Sequence, residues 1–159
     1  MKLWKATLCL SLLGLSWNTN AAVGKVTEQV NAPPTIQRQN STLTASKGTG
    51  VEMNDAIKTL QGKLGITFED DTKVQINENS KLVIDDFVYD PNKKGAGKLA
   101  LNVAMGTVRY ASGAVAHENN KNVAINTPTA TVAVRGTAFT MTVDEVGKSL
   151  IILLPNKDG

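Results

Sequence analysis

Apolar residues alternate with polar ones over most of the chain, in short runs that are separated by turn-forming residues. In one such run, Leu64, Ile66 and Phe68 alternate with Gly65 and Thr67. Successive side chains of a β-strand point to opposite faces of the sheet, so a period of two places the apolar side chains on one face. This pattern predicts half-buried β-strands.

The centres of the predicted strands are evenly spaced along the chain. They fall in two groups, within which the steps are 7 to 10 residues: Ile66, Ile76 and Ile84, then Leu101, Val108, Val115, Val123, Val132, Met141 and Ile151. The breaks between them are rich in Gly, Asn, Asp and Pro, which favour turns. Many short, evenly spaced strands are typical of all-β folds. We therefore predict a β-solenoid or a twisted β-sandwich of short strands, with at most one short helix.

The segment VEMNDAIKTLQ, residues 51–61, is the candidate for that helix. Its apolar residues Met53, Ile57 and Leu60 fall at helical spacing. A short strand is the competing interpretation. The sequence has no repeat of fixed length, so periodicity alone does not assign a regular solenoid family.

Residues 1–21 have the composition of a secretory signal peptide. Lys2 and Lys5 precede the apolar run ATLCLSLLGLSW, and the small residues Ala21 and Ala22 supply a cleavage site. This run is short for a membrane span, although an uncleaved anchor is the alternative. We expect a periplasmic or secreted protein of a Gram-negative-type envelope, with no membrane span after cleavage of the signal.

Cleavage would also change the composition. Cys9, which is the only cysteine of the chain, and both tryptophans lie in this segment. The mature chain then has no thiol for a disulfide or a metal site. Two of the 17 basic residues leave with the signal, and the remaining 15 face 14 acidic residues, a net charge near +1. Nucleic-acid partners need a concentrated basic surface, so we expect none.

The chain offers few groups for catalysis or for cofactor binding. His117, the single histidine, lies in the polar segment AHENNK, where a solvated surface position is the expected role. No serine or cysteine motif surrounds a nucleophile, and one histidine cannot build a histidine-based metal site. We therefore predict no catalytic residue, no cofactor and no metal, and we cannot name a small-molecule ligand from the sequence.

Two acidic segments are the remaining candidates for chemistry. One is Glu69-Asp70-Asp71, and the other is Asp85-Asp86 with Asp90 and Asn92. Neither has the ligand spacing of a calcium loop, so turn formation and solubility are the expected roles. The alternative is a carbohydrate-active β-helix enzyme that uses Asp85, Asp86 or Asp71.

The segment TPTATVAVRGTAF, residues 127–139, begins as a strand and then places Arg135 beside Gly136. The planar guanidinium can bind a carboxylate or backbone carbonyls through two parallel hydrogen bonds. Gly136 allows a turn where a side chain would clash. We predict that Arg135 supports the fold, and a ligand-binding role is the alternative.

The same segment resembles the closing motif of the FecR domain family, a Thr-Pro followed by alternating apolar residues and Arg-Gly-Thr. In this chain the motif residues are Thr127, Pro128, Arg135, Gly136 and Thr137.

Upstream segments resemble other parts of the family pattern. NDAIKT is similar to its Gly-Asp-x-Ile-x-Thr segment, with Asn54 in place of the glycine. The stretch from GKLGITFEDDT to SKLVIDDFVYDP is similar to a strand, an Asp-Gly-Ser turn, a second strand and an Asn-Ser-x-Leu element. Asp71-Thr72 stands where Asp-Gly is usual, which predicts a less tight turn. GKLALNVAMGTVRY is similar to the next pair of strands, so the resemblance covers residues 51–143.

The resemblance implies an extracytoplasmic all-β domain that is not an enzyme. It divides the chain into a signal peptide (1–21), an N-terminal strand with an irregular Pro-containing segment (22–45), a FecR-like domain (46–154) and a tail (155–159). Truncation at Gly159 is an open alternative. The best-known members carry an anti-sigma segment and a membrane span ahead of this domain. Here a signal peptide precedes it, so we do not expect the anti-sigma role.

The last apolar run indicates how the domain acts. Five consecutive apolar residues form it: Leu150, Ile151, Ile152, Leu153 and Leu154. Both faces of such a strand require burial, so we expect a protein partner, self-association or further chain to cover it. We therefore predict a protein-interaction or scaffold module of the cell envelope that could take part in extracytoplasmic sensing. A structural piece of a larger surface assembly is a further alternative.

Overall fold

The computed structural model describes residues 21–134 and 138–155. Within these residues the chain forms thirteen strands, a five-residue α-helix and a short 3₁₀ helix. The first eight strands are β1 (Gly24–Val30), β2 (Thr35–Arg38), β3 (Ser41–Thr44), β4 (Gly50–Val51), β5 (Ala56–Lys58), β6 (Lys63–Phe68), β7 (Lys73–Ile76) and β8 (Lys81–Val88). They are followed by β9 (Lys98–Ala111), α1 (Ala114–Glu118), the 3₁₀ helix (Asn120–Asn122), β10 (Val123–Asn126), β11 (Thr131–Ala133), β12 (Ala138–Val143) and β13 (Ser149–Leu153).

All thirteen strands belong to one curled, half-barrel sheet, and β9 is the strand that joins its two parts. The first half of β9 pairs with β8 and, in parallel, with β10. The second half pairs with β7 on one side and β12 on the other, both antiparallel. From β8 the sheet continues through β5 and β2 to β3, and from β7 it continues through β6 and β1 to β4. The prediction of an all-β fold with at most one short helix is confirmed.

The alternation within β9 changes phase at Gly106. Leu101 and Val103 are buried in the first half of the strand, whereas Val108 and Tyr110 are buried in the second half. The pairing with β8 skips one residue of β9 between Val103 and Met105, and Gly106 has φ +95°. This irregularity explains how one long strand can serve both parts of the sheet, since a one-residue slip moves side chains to the other face.

The core lies on the concave side of the curled sheet, where the inward residues of both parts meet. Phe68 on β6 and Phe87 on β8 are in contact, with ring centroids 5.4 Å apart. Tyr110 on β9 stacks on Phe139 of β12 at 5.2 Å. Contacts of this kind add to the burial of apolar area, which is the main stabilising contribution to such a sheet.

Two expectations about single segments were wrong. Leu101 and Val108 are not the centres of two strands but lie in the one strand β9. Val115 is not in a strand, because it lies in α1, where the buried carboxylate of Asp70 accepts its N–H at 3.1 Å. His117 also lies in α1.

The candidate helix over residues 51–61 contains the strand β5 instead, which was the competing interpretation. Asn54 has φ +66°, which is incompatible with a continuous right-handed helix. Ile57 is fully buried and lies opposite Ile36 of β2 and Leu82 of β8. Burial between two neighbouring strands outweighs the weak helical spacing of this segment.

The N-terminal segment 22–45 contains β1, β2 and β3, with Pro33 and Pro34 between the first two of these strands. Strand β1 pairs with β6, and β2 pairs with β5. Residues ahead of the resembling region are therefore built into both parts of the sheet.

Candidate functional site: an apolar edge strand and a polar groove

Part of the closing motif lies within the described residues, and part of it lies outside them. Arg135, Gly136 and Thr137 lie outside the described residues, and their predicted supporting role stays a prediction. Thr127 and Pro128 lie in the turn between β10 and β11. The backbone N–H of Thr127 donates to the carbonyl of Ala130 at 2.8 Å, and the Thr127 hydroxyl accepts the N–H of Ala130 at 3.0 Å.

This turn is also bound to the hairpin that carries β13. The hydroxyl of Ser149, the first residue of β13, donates to Oγ1 of Thr127 at 2.7 Å. The hydroxyl of Thr129 donates to the carbonyl of Gly147 at 2.7 Å. The Thr-Pro part of the motif therefore positions the start of β13.

Strand β13 is an edge strand that exposes apolar side chains on both faces. Among the described residues it pairs with β12 alone. The exposed fractions are 61% for Leu150, 38% for Ile151, 54% for Ile152 and 70% for Leu153, and Leu154 is partly buried. Ile151 and Leu153 lie opposite the buried residues Met141 and Phe139, so they share the inner face of the sheet. They project beyond the edge of the core.

The free edge of β13 also presents backbone groups. Leu154 donates its N–H to the carbonyl of Ala138 at 2.9 Å. The N–H and C=O groups of alternate residues in an antiparallel strand point to opposite sides. Leu150 and Ile152 therefore point to β12 as Leu154 does, whereas Ile151 and Leu153 direct their backbone groups to the open edge. An apolar edge with unpaired backbone groups is a template for another strand.

A second surface feature is a groove of about 710 Å³ on the outer face of β1, β6, β7 and β9. Short side chains form its floor: Thr27, Gly65, Thr67 and Ala111. Longer polar side chains flank them: Glu28, Lys73, Gln75 and Arg109. No sequence motif marked these residues as a site, although each of them except Glu28 occupies an outward position in an alternating strand.

The acidic turn Glu69-Asp70-Asp71 has a structural role. The carboxylate of the buried Asp70 accepts the N–H of Thr72 at 3.0 Å, the Thr72 hydroxyl at 2.8 Å and the N–H of Val115. Asp71 is exposed and has φ +65°, the conformation that a glycine would adopt most easily. The turn is tight despite the missing glycine, because Asp71 and Phe68 both donate their N–H groups across it, to Phe68 and Thr72 respectively.

The second acidic group also forms local contacts. Asp86 on β8 forms an ion pair with Lys98 at 2.7 Å, and Asp85 is exposed in a bulge of the same strand. Asp90 accepts the N–H of Asn92 at 2.9 Å in the loop after β8. Within the described ranges, no three His, Cys, Asp or Glu side chains are grouped so that they could hold a metal ion. His117 is exposed.

Arg38, Glu52 and Asp55 form a charge cluster that no sequence pattern predicted. Arg38 donates to both carboxylate oxygens of Asp55, at 2.9 and 2.7 Å, to Glu52 at 2.6 Å and to the carbonyl of Gly50 at 2.8 Å. The side chain of Asp55 is fully buried. The hydrogen bond to Asp55 raises the pKa of Arg38, although partial burial opposes this shift. Arg38 comes from a polar stretch without a recognisable pattern, so no local signal marks it.

The described residues thus form an all-β domain whose candidate binding surfaces are an edge strand and an open groove. A comparison with protein-family profiles matches residues 55–156 to the family described as FecR protein. Because this match covers more than half of the chain, the chain belongs to the FecR protein family, as the motifs predicted. Membership indicates a role in envelope sensing or signalling. No curated protein and no solved structure matches the chain.

Across residues 21–134 and 138–155, none of the helical segments has the length and the hydrophobicity that crossing a bilayer requires.

Proposed function

We propose that the chain is an exported, non-catalytic FecR domain that acts in the cell envelope by binding a partner protein along β13. The observation that carries this proposal is that β13, which among the described residues pairs with β12 alone, exposes apolar side chains on both faces. Strand addition to such an edge is a recurring mode of protein recognition. Family membership supports it, because FecR domains act in signalling through protein contacts.

The chemistry of β13 defines the segment that it would accept. Leu150 to Leu154 carry no charge, so the partner segment is extended and uncharged, with apolar side chains toward both faces. Its backbone would pair with Ile151 and Leu153, whose groups point to the open edge. Charged side chains in that segment would be buried without a counter-ion, which is costly.

A larger partner fits this surface better than a second copy does. A strand of five residues is about 17 Å long, and a strip about 10 Å wide along it amounts to a few hundred Å² per copy. Stable interfaces bury about 1,200–2,000 Å² in total, so self-pairing through β13 alone falls short. A partner that adds a strand and also covers Leu150 and Leu153, which lie on opposite faces, would bury a larger area.

Two substitutions at one position separate strand addition from simple apolar contact. Leu153→Pro removes an N–H that points to the open edge and leaves the bonds to β12, whereas Leu153→Ala removes the side chain and keeps the N–H. The probe is a fluorescent peptide with three Ile-Val repeats between terminal lysines, and its binding is measured by fluorescence anisotropy. We expect Leu153→Pro to weaken binding about 10-fold and Leu153→Ala less than about 3-fold.

Equal binding of the probe by the wild type and Leu153→Pro would contradict strand addition. A wild-type protein that sediments as a stable dimer through β13 would contradict the choice of a separate partner. The same probe with a central proline is the control for the peptide, and it should not bind.

The proposal of export rests on the signal-like composition of residues 1–21. Expression of the full chain followed by intact-mass measurement of the envelope fraction tests it. We expect a mature N-terminus near Ala22 or Val23, and retention of Met1 to Ala21 would contradict export.

A further inference from the structure

The groove on the outer face of β1, β6, β7 and β9 brings two cationic side chains together on a floor of paired strands. Lys73 and Arg109 are exposed and take part in none of the ion pairs found among the described residues. In the register of β7 and β9, Lys73 lies opposite Ala111 and Gln75 lies opposite Arg109. The two cations are therefore diagonal neighbours, with backbones about 7–8 Å apart. Like charges at this separation repel each other, and an anion between them would remove the repulsion.

The remaining polar groups of the groove include both donors and acceptors. Gln75 donates to a carboxylate oxygen of Glu28 at 3.3 Å, which orients both side chains. The hydroxyls of Thr27 and Thr67 lie 3.1 Å apart, and each keeps capacity for one further hydrogen bond. A ligand with many hydroxyl groups needs such a mixture, because every hydroxyl both donates and accepts.

The floor of the groove is formed by paired strands. Strands β6 and β7 are each paired on both sides, as is β1 at Gly24 and Lys25. A peptide lying on this face therefore finds few backbone partners and would leave its own amides unsatisfied. A sugar chain has no backbone amides in its ring, and its hydroxyls can be bound by the side chains.

The aromatic residues that the structure describes lie outside the groove. Phe68, Phe87, Tyr110 and Phe139 are buried in the core, and none of the groove residues is aromatic. A neutral sugar held by stacking does not fit this face, whereas a sugar that carries a carboxylate does. The size of the groove is within the usual range for ligand sites, about 300–1,000 Å³.

From this combination we propose that the groove binds an acidic oligosaccharide. One sugar carboxylate lies between Lys73 and Arg109, and the neighbouring hydroxyls contact Glu28, Gln75 and Thr67. This activity is separate from strand addition at β13, since it uses the outer face of central strands and none of the backbone groups of the edge. The domain would then hold a glycan and a protein at two surfaces.

Titration calorimetry with tetragalacturonate at low and physiological salt is the direct test. We expect saturable binding that weakens as salt rises, because the contact is ionic and exposed. The fully methyl-esterified tetramer has the same hydroxyls without the charges and should not bind. Tetraglutamate has the charges without the sugar hydroxyls and should bind at least about 5-fold more weakly.

Substitutions locate the site without disturbing the core. Arg109→Ala and Lys73→Ala should each weaken binding about 5- to 20-fold, since each removes a charged contact. Ala111→Gln fills the floor, keeps both charges and should weaken binding as well. Lys81→Ala, at an exposed position on β8, is the matched control and should bind as the wild type does.

Several outcomes would overturn the proposal. Binding that is unchanged in both Arg109→Ala and Lys73→Ala would show that the glycan does not bind between these two residues. Equal binding of tetragalacturonate and tetraglutamate would show that the groove responds to charge alone. If the wild type does not bind tetragalacturonate, the proposed glycan binding is wrong. Leu153→Pro should leave glycan binding unchanged, so failure here and failure of strand addition are distinguishable.

Discussion

Arg38 and Asp55 form a two-fold hydrogen-bonded ion pair that connects β2 to the turn ahead of β5. The carboxylate is fully buried, and the guanidinium also binds Glu52 and the carbonyl of Gly50. Asp55 is the aspartate of the segment NDAIKT, which resembles the family motif. Its partner Arg38 lies outside that motif. The pair holds the N-terminal strands on the matched domain.

Arg38→Ala should destabilise the protein clearly. Removing one partner of a buried pair costs about 3–5 kcal/mol, and the partial exposure of Arg38 reduces the expected loss to about 2–3 kcal/mol. Arg38→Lys should recover little of this, because an ammonium group cannot bind both oxygens of Asp55 with the same geometry. Urea unfolding of both variants measures the difference.

The control for this prediction is the more exposed ion pair between Lys98 and Asp86. Lys98→Ala should change the free energy of unfolding by less than about 1 kcal/mol. Equal losses in Arg38→Ala and Lys98→Ala would contradict the assigned role of Arg38.

Gly106 is irreplaceable for a steric reason. A Cβ atom added to Gly106 would lie about 2.5 Å from the Cα of the buried Ser80, which is far inside van der Waals contact, and the φ of Gly106 is +95°. Ser80 immediately precedes β8, so it cannot move away from β9 without disturbing the pairing of β8 with β9. We expect Gly106→Ala to reduce the free energy of unfolding by more than about 3 kcal/mol, measured by urea unfolding.

Gly48 provides a matched comparison for Gly106. Its φ is +92°, but no atom lies within 4 Å of an added Cβ. Gly48→Ala therefore reports the backbone strain alone, about 1–2 kcal/mol. If both variants lose the same stability, the contact with Ser80 is not what requires glycine at position 106.

Tyr110 carries a buried hydroxyl for which no described atom meets hydrogen-bond geometry. Burial raises the pKa of Tyr110, and the nearby Ser112 and Thr72 hydroxyls oppose that shift without cancelling it. Tyr110→Phe removes a poorly satisfied polar group and keeps the ring that stacks on Phe139. We expect the variant to be as stable as the wild type or up to about 1 kcal/mol more stable at pH 7.

The pH dependence of Tyr110 has a defined sign. The unfolded chain loses this proton near pH 10, and the folded chain holds it to a higher pH because its pKa is raised. The stability due to this group is therefore complete below pH 10 and falls as the pH rises further, by at most about 1.4 kcal/mol per unit. Thermal melts from pH 8 to 11 should show a smaller alkaline loss in Tyr110→Phe, and parallel profiles would contradict this.

The alternation of apolar residues determined the strands that lie within the matched region. The runs around Ile66, Ile76, Ile84 and Met141 became β6, β7, β8 and β12 because period-two burial is a local property of the sequence. The same local signal could not show that the runs around Leu101 and Val108 are one strand. Their union depends on the close approach of Gly106 to Ser80, which lies in the turn between β7 and β8.

Position 115 is a second case in which the local sequence pattern could not predict the structure. Its apolar neighbours suggested a strand, but the carboxylate of Asp70, 45 residues earlier in the chain, binds the N–H of Val115 at the start of α1. A hydrogen bond to a distant buried carboxylate leaves no trace in the local pattern. The apolar character of β13, in contrast, could be predicted from the sequence, because five consecutive apolar residues require burial of both strand faces.

The sequence by itself determined the fold class, the family and the apolar character of the last strand, since each of these follows from residue order over short distances. The tertiary structure alone decided which residues meet: Arg38 with Asp55, Thr127 with Ser149, and Lys73 beside Arg109. These pairs are 17, 22 and 36 residues apart in the chain. They become neighbours through strand pairing, whose register is set by the burial of all the strands together.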